Sequence, residues 1–163
     1  MNESESPSLQ ILRRPEELRQ ELIHLQERHA EYRDRCMNIT ANIEHERVSS
    51  SRNIRGNENA VTACVATEAE ILETREKLAS ATEAAEKLLQ RLEALPGMKS
   101  YRNALVLRLR YLNNLSWPDV CAALRQNGFP VTARTVPRWC DAALEQLEKL
   151  EGGTVCEQHP QSD

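Results

Sequence analysis

Two long heptad patterns constrain this chain more than any other feature. From Pro15 to about Arg47, apolar or semi-apolar residues recur in alternating steps of four and three: Leu18, Leu22, Leu25, His29, Tyr32, Cys36, Ile39 and Ile43. Only an α-helix places such a series on one stripe, with the charges left on the remaining faces. A second series follows at Ala60, Cys64, Thr67, Ile71, Thr74, Leu78, Ala81, Ala85, Leu88, Leu92 and Leu95. Several of its members are small, which lets a partner helix approach closely. Between the two, Val48 to Asn59 is rich in Ser, Asn and Gly and reads as a loop. The expected arrangement is a long antiparallel coiled-coil hairpin over 16–96 with its loop at about 48–59. At ~1.5 Å per residue its helices reach roughly 45–55 Å. One hairpin leaves much of that length uncovered, so a homo-oligomer, a dimer, is expected through it. Pro15 suits the first turn of the first helix, where its missing N–H is not needed. His29 reads as a tolerated polar position in the seam and not as a ligand.

Composition agrees with an all-α fold. Aromatic residues make up 4% of the 163 residues, there are only five glycines, and 28% of residues are charged, which argues against a β-sandwich or a large enzyme core. Five scattered cysteines, with no CxxC pair and no histidine at ligand spacing, read as reduced, buried thiols; no metal and no cofactor is expected. The polar, acidic N-terminus has neither secretory nor mitochondrial character. No stretch approaches the ~18 consecutive apolar residues of a membrane span, so no membrane partner and a cytoplasmic location in a bacterial host cell are expected. Residues 1–15 and 151–163 read as disordered ends. Nothing resembles a Gly-rich phosphate loop, a nucleophile elbow or a catalytic dyad, so no catalytic residue and no enzyme is expected.

Leu95-Pro96-Gly97 ends the second helix and opens a module over 97–150. This part of the chain is basic. Lys99 to Leu150 holds eight basic and four acidic residues, a net +4 against −8 for the rest, which suits a polyanion-binding module on an acidic scaffold. Three short helices are predicted in it. The first, Tyr101 to Asn113, places Tyr101, Leu105, Leu109 and Leu112 on one face. The second opens at Ser116 as N-cap, with Pro118 in the first turn and Asp119 at its third position, and stops at Gln126-Asn127-Gly128. The third is announced by Thr132 as N-cap and carries Val136, Trp139, Cys140, Ala143, Leu144 and Leu147 on its inner face. Two helices joined by a tight turn, the second basic at its start, form the helix-turn-helix arrangement, whose second helix enters the DNA major groove. Trp117 and Trp139 have apolar neighbours at helical spacing and read as core.

The segments Val-Leu-Arg-Leu-Arg-Tyr (106–111), Leu-Ser-Trp-Pro-Asp-Val-Cys-Ala-Ala-Leu (115–124) and Val-Thr-Ala-Arg-Thr-Val-Pro-Arg-Trp-Cys-Asp-Ala-Ala-Leu-Glu-Gln-Leu (131–147) resemble region 4 of sigma-70-type factors. The whole chain, with Arg47-Val-Ser-Ser-Ser-Arg-Asn in its loop, also resembles a phage and prophage family of unassigned function. That family joins a coiled-coil hairpin to a region-4-like end. The resemblance covers most of 16–150 and implies a transcriptional role. It also implies double-stranded DNA as partner, with RNA polymerase as a further one. Thr132, Arg134, Thr135, Arg138, Arg110 and Arg125 are the candidate DNA-binding residues. Where sigma factors are more basic, this chain has Ala133, Thr135 and Pro137. Pro137 requires either a kinked helix or one that starts at Thr135 with the proline in its first turn. Arg110 has two readings, a phosphate contact or a pair with Asp119. Two other function classes fit the same parts. One is a packaging component of small-terminase type; the other is a module that docks on polymerase without touching DNA.

Overall fold

The structure, a computed structural model, describes the backbone of residues 6–45 and 52–154 and the side chains of 6–38 and 58–152. Every regular element among these residues is helical: α1 (Pro7–His45), α2 (Arg52–Glu93), α3 (Met98–Leu107) running into a π-helical turn at Arg108–Leu112, α4 (Trp117–Gln126) and α5 (Thr135–Thr154). The chain forms two compact units, one of Met1–Glu16 with Ala79–Asp163 and one of Glu17–Leu78. Both long helices contribute to each.

Several helix ends differ from the sequence expectation. α1 starts at Pro7, so Pro15 lies inside the helix and not in its first turn. Pro15 is fully buried, as is Leu12 one turn before it. Burial of both side chains offsets the hydrogen bond that Pro15 cannot donate to the carbonyl of Ile11. α2 starts at Arg52, so 52–59 are helical although Gly56 and three asparagines disfavour it. Such residues cost up to about 1 kcal/mol each, whereas one nucleus serves a helix of any length. The rest of the expected loop, and Arg47 with it, lies outside the described residues. α5 likewise runs through Gly152 and Gly153 to Thr154.

In the unit Glu17–Leu78 the seam positions are the covered ones. Leu18, Leu25, Thr67, Ile71 and Thr74 are buried, and Leu22, His29, Tyr32, Cys36, Ala60, Cys64 and Leu78 are half-buried. Two contacts tie α1 to α2 here: Arg28 Nη2 to Glu70 Oε2 at 3.2 Å and His29 Nε2 to Cys64 Sγ at 3.4 Å.

The other unit has the main core. Leu12 of α1 and Ala85, Leu88, Leu89 and Leu92 of α2 pack with the apolar faces of α3, α4 and α5. In α3 the inward face is Ser100, Asn103, Ala104 and Leu107, together with Val106. This corrects the expected stripe: Tyr101 is exposed and Leu105 only half-buried. The polar side chains on that face satisfy one another. Asn103 Nδ2 donates to Gln146 Oε1 of α5 (2.6 Å), and Gln146 Nε2 donates to Ser100 Oγ (3.1 Å). The π turn then inserts one extra residue per turn, closing with Asn113 N–H on the Arg108 carbonyl (3.0 Å). That insertion brings Leu109 and Leu112 back to the core. Asn114, at φ 51°, ends the helix in the left-handed conformation that asparagine tolerates.

Candidate nucleic-acid interface

α4 and α5 position the candidate residues. Ser116 caps α4: its hydroxyl accepts from the Asp119 N–H (3.4 Å) and contacts the Asp119 carboxylate. At the other end Gly128 takes φ 83°, its N–H reaching the Arg125 carbonyl while Phe129 N–H reaches Leu124 (both 3.0 Å). This pair of bonds is the Schellman closure that a left-handed glycine allows. The connection to α5 covers 127–134 and is longer than a tight turn.

Pro137 decides where α5 begins. It cannot donate to the Ala133 carbonyl, so the regular helix starts at Thr135 with Pro137 as its third residue. The start at Thr132 is thereby corrected, and of the two readings of Pro137 the first-turn one holds. Thr132 still organises the entry. Its carbonyl accepts from Thr135 N–H (2.9 Å) and Val136 N–H (3.3 Å), and its hydroxyl meets that of Thr135 at 2.8 Å. Two first-turn N–H groups are thus already used and a third is missing. This end therefore offers no nest of backbone amides to an anion, and its cationic character rests on side chains.

Arg134 and Arg138 are the cations at this end. They lie one helical turn apart, both exposed, and neither makes a hydrogen bond or ion pair among the described residues. Thr132 is exposed beside them and Thr135 is half-buried. The structure therefore brings together four of the six predicted residues. The other two are engaged elsewhere. Arg110 donates from Nη1 to the Leu115 carbonyl (2.8 Å) and stacks over the Trp117 ring (4.7 Å), in place of a pair with Asp119. Arg125, although exposed, donates from Nε to the Val131 carbonyl (2.8 Å) and so braces the connection. Arg108 is also internal, bound to Glu86 and Glu93 (3.1 and 3.3 Å). Burial lowers its pKa, but the hydrogen bonds and charges of those two carboxylates outweigh burial and raise it.

Sequence reasoning did not find a neighbouring cleft of about 410 Å³ between the start of α3 and the α4–α5 connection. Met98, Lys99, Arg102, Phe129, Pro130 and Trp139 line it. The Arg102 guanidinium lies 4.1 Å from the Trp139 ring centroid, its Nε buried without a hydrogen-bond partner among the described residues, and burial lowers its pKa. No spacing rule announces this cleft, because its walls come from separate segments. Trp117 and Trp139 are partly buried against the core. No protein-family model, curated protein or solved structure matches the chain.

Proposed function

We propose that this chain is a DNA-binding transcriptional regulator of phage or prophage type. The C-terminal module, a sigma region 4-like helix-turn-helix of α4 and α5, presents the start of α5 to the major groove of double-stranded DNA. α1 and α2 form an antiparallel hairpin that serves as an oligomerisation or polymerase-contact arm. The observation that carries this reading is the exposed pair Arg134 and Arg138, unpartnered among the described residues, beside the Thr132 and Thr135 hydroxyls. Guanidinium groups in this position match the bidentate geometry of guanine edges and of phosphate.

With two such cations, affinity rests largely on phosphate neutralisation and falls as salt rises. Fluorescence anisotropy of a labelled duplex titrated with the full chain over a salt series tests the reading. If both arginines contact phosphate, Arg134→Ala with Arg138→Ala should lower the slope of log affinity against log salt by about 2. Unchanged binding and slope would remove α5 from the DNA surface.

A second reading, docking on RNA polymerase without DNA, draws on the Met98–Trp139 cleft, whose apolar floor and two cations suit a protein surface. Co-purification with polymerase and no DNA shift favours it. Assembly into a ring favours the packaging reading.

A further inference from the structure

We propose that the Met98–Trp139 cleft is a docking site for an acidic peptide segment of a partner protein, one that sets a carboxylate beside an apolar or aromatic side chain. The inference does not depend on DNA binding by α5. It supplies the partner chemistry that the polymerase reading leaves open.

Arg102 lacks the counter-ion that a neighbouring arginine has. Arg102 in α3 and Arg108 in the π turn are both half-buried. Arg108 is neutralised by two carboxylates, Glu86 and Glu93. Arg102 has none among the described residues. Its one hydrogen bond there runs from Nη2 to Asn103 Oδ1 (3.1 Å), and its Nε is buried without a partner. Burial lowers its pKa with no carboxylate to oppose the effect. A cation taken partly out of water without an opposite charge is unfavourable, so the site favours an anion from outside. The guanidinium is also held in place. It lies over the Trp139 ring, and its Asn103 partner is fixed by Gln146, which donates in turn to Ser100. A guanidinium positioned in this way loses little rotamer freedom on binding, and its planar fork matches a carboxylate.

The walls specify the rest of the ligand. Met98, Phe129, Pro130 and Trp139 make most of the cleft apolar. Met98 is 72% exposed, and Tyr101, whose ring lies 6.2 Å from that of Phe129, is 39% exposed. Methionine, aromatic residues and arginine are the residue types that protein-binding surfaces concentrate. At about 410 Å³ the cleft lies at the small end of the ~300–1,000 Å³ of ligand clefts, which suits an inserted side chain or two. Lys99 adds a second cation, exposed and without an ion pair among the described residues. It also lines an adjoining depression of about 290 Å³ with Lys149 and Glu145. Arg102, Lys99 and Lys149 thus stand against the single carboxylate of Glu145 across the two depressions, which selects an acidic partner. Nucleic acid fits less well. Phosphates leave an apolar floor unfilled, and Trp139 is packed against the core with Arg102 over its ring, so it offers no open face to a base.

The test uses the full chain, immobilised, with a display library of random peptides as the probe. The expected result is enrichment of Asp or Glu next to Phe, Trp or Leu. An enriched peptide, synthesised with a fluorescent label, is then titrated with the parent and with variants. Arg102→Gln should weaken it about 30-fold or more, as removal of one partner of a desolvated charge pair does. Met98→Glu should weaken it about 10-fold or more by like-charge repulsion. Met98 is exposed at the first position of α3, where a carboxylate favours the helix, so this variant keeps its fold and decides the matter even if Arg102→Gln loses helicity. No enrichment, enrichment without acidic residues, or undiminished affinity in either variant that retains its helicity overturns the proposal. Arg134→Ala with Arg138→Ala should leave peptide affinity unchanged, so failure of the DNA reading leaves this one standing. If Arg102→Gln instead lowers the salt slope of DNA binding by about 1, the cleft holds phosphate and the peptide site is refuted.

Discussion

Asn103 offers a direct test of how α3 is held to α5. Its side chain is fully buried, donates to Gln146 at 2.6 Å and accepts from Arg102 Nη2 at 3.1 Å. Asn103→Ala removes the hydrogen bond to the half-buried Gln146 Oε1, a loss of about 0.5–1.5 kcal/mol because water can reach that oxygen. The small cavity left behind adds about 1 kcal/mol. The total, about 1.5–2.5 kcal/mol, is a sizeable part of the stability of a domain this size. Gln146→Ala strands the Asn103 amide in turn and removes a donor from Ser100. Because each single variant breaks the same bond, the double variant should cost less than the two added together. The expected coupling is about 1–2 kcal/mol. Urea unfolding followed by tryptophan fluorescence is the assay, since Trp117 and Trp139 both lie in this unit and report on it alone. Additivity of the two variants to within about 0.3 kcal/mol would refute the network.

Other perturbations give sharp expectations. Burial pushes the Cys140 thiol up to about 11, and burial with the neighbouring Cys140 pushes Tyr111 up to about 12. Both folded values lie above the unfolded ones, so stability is flat below about pH 9 and declines from there toward pH 11–12, measurable as the urea midpoint against pH. An unchanged midpoint up to pH 11 contradicts the burial of this pair. Gly128→Ala meets no atom within 4 Å, so its cost is purely that of a left-handed alanine, about 1–2 kcal/mol by the same unfolding assay. Ser116→Ala removes the cap of α4 and should cost about 0.5–2 kcal/mol, whereas Ser116→Asp should retain most of the stability.

Periodicity and caps made much of this architecture legible. The steps of four and three select the residues that are covered along α1 and α2, because one helix face repeats at that interval. Ser116 and Gly128 mark the ends of α4 because each supplies a bond or a backbone angle few other residues supply. The inner face of α3 was hidden for an equally physical reason. Ser100 and Asn103 are polar, and only partners distant in sequence make their burial favourable. The π turn shifts register without a residue pattern that announces it. Arg110 and Arg125 illustrate the same limit at the candidate site. A guanidinium that braces a carbonyl five or six residues away looks, in sequence, like one that faces solvent. Pro137 was the exception, since its missing N–H alone restricts where α5 can begin.

DNA recognition by the start of α5 is the central claim, and selection from random fragments tests it most directly. Duplexes retained by the full chain at near-physiological salt are sequenced for the parent and for Arg134→Ala with Arg138→Ala. The account predicts an enriched sequence with the parent chain and its loss with the double variant. Retention of no DNA by the parent, or the same enrichment with both proteins, would contradict it.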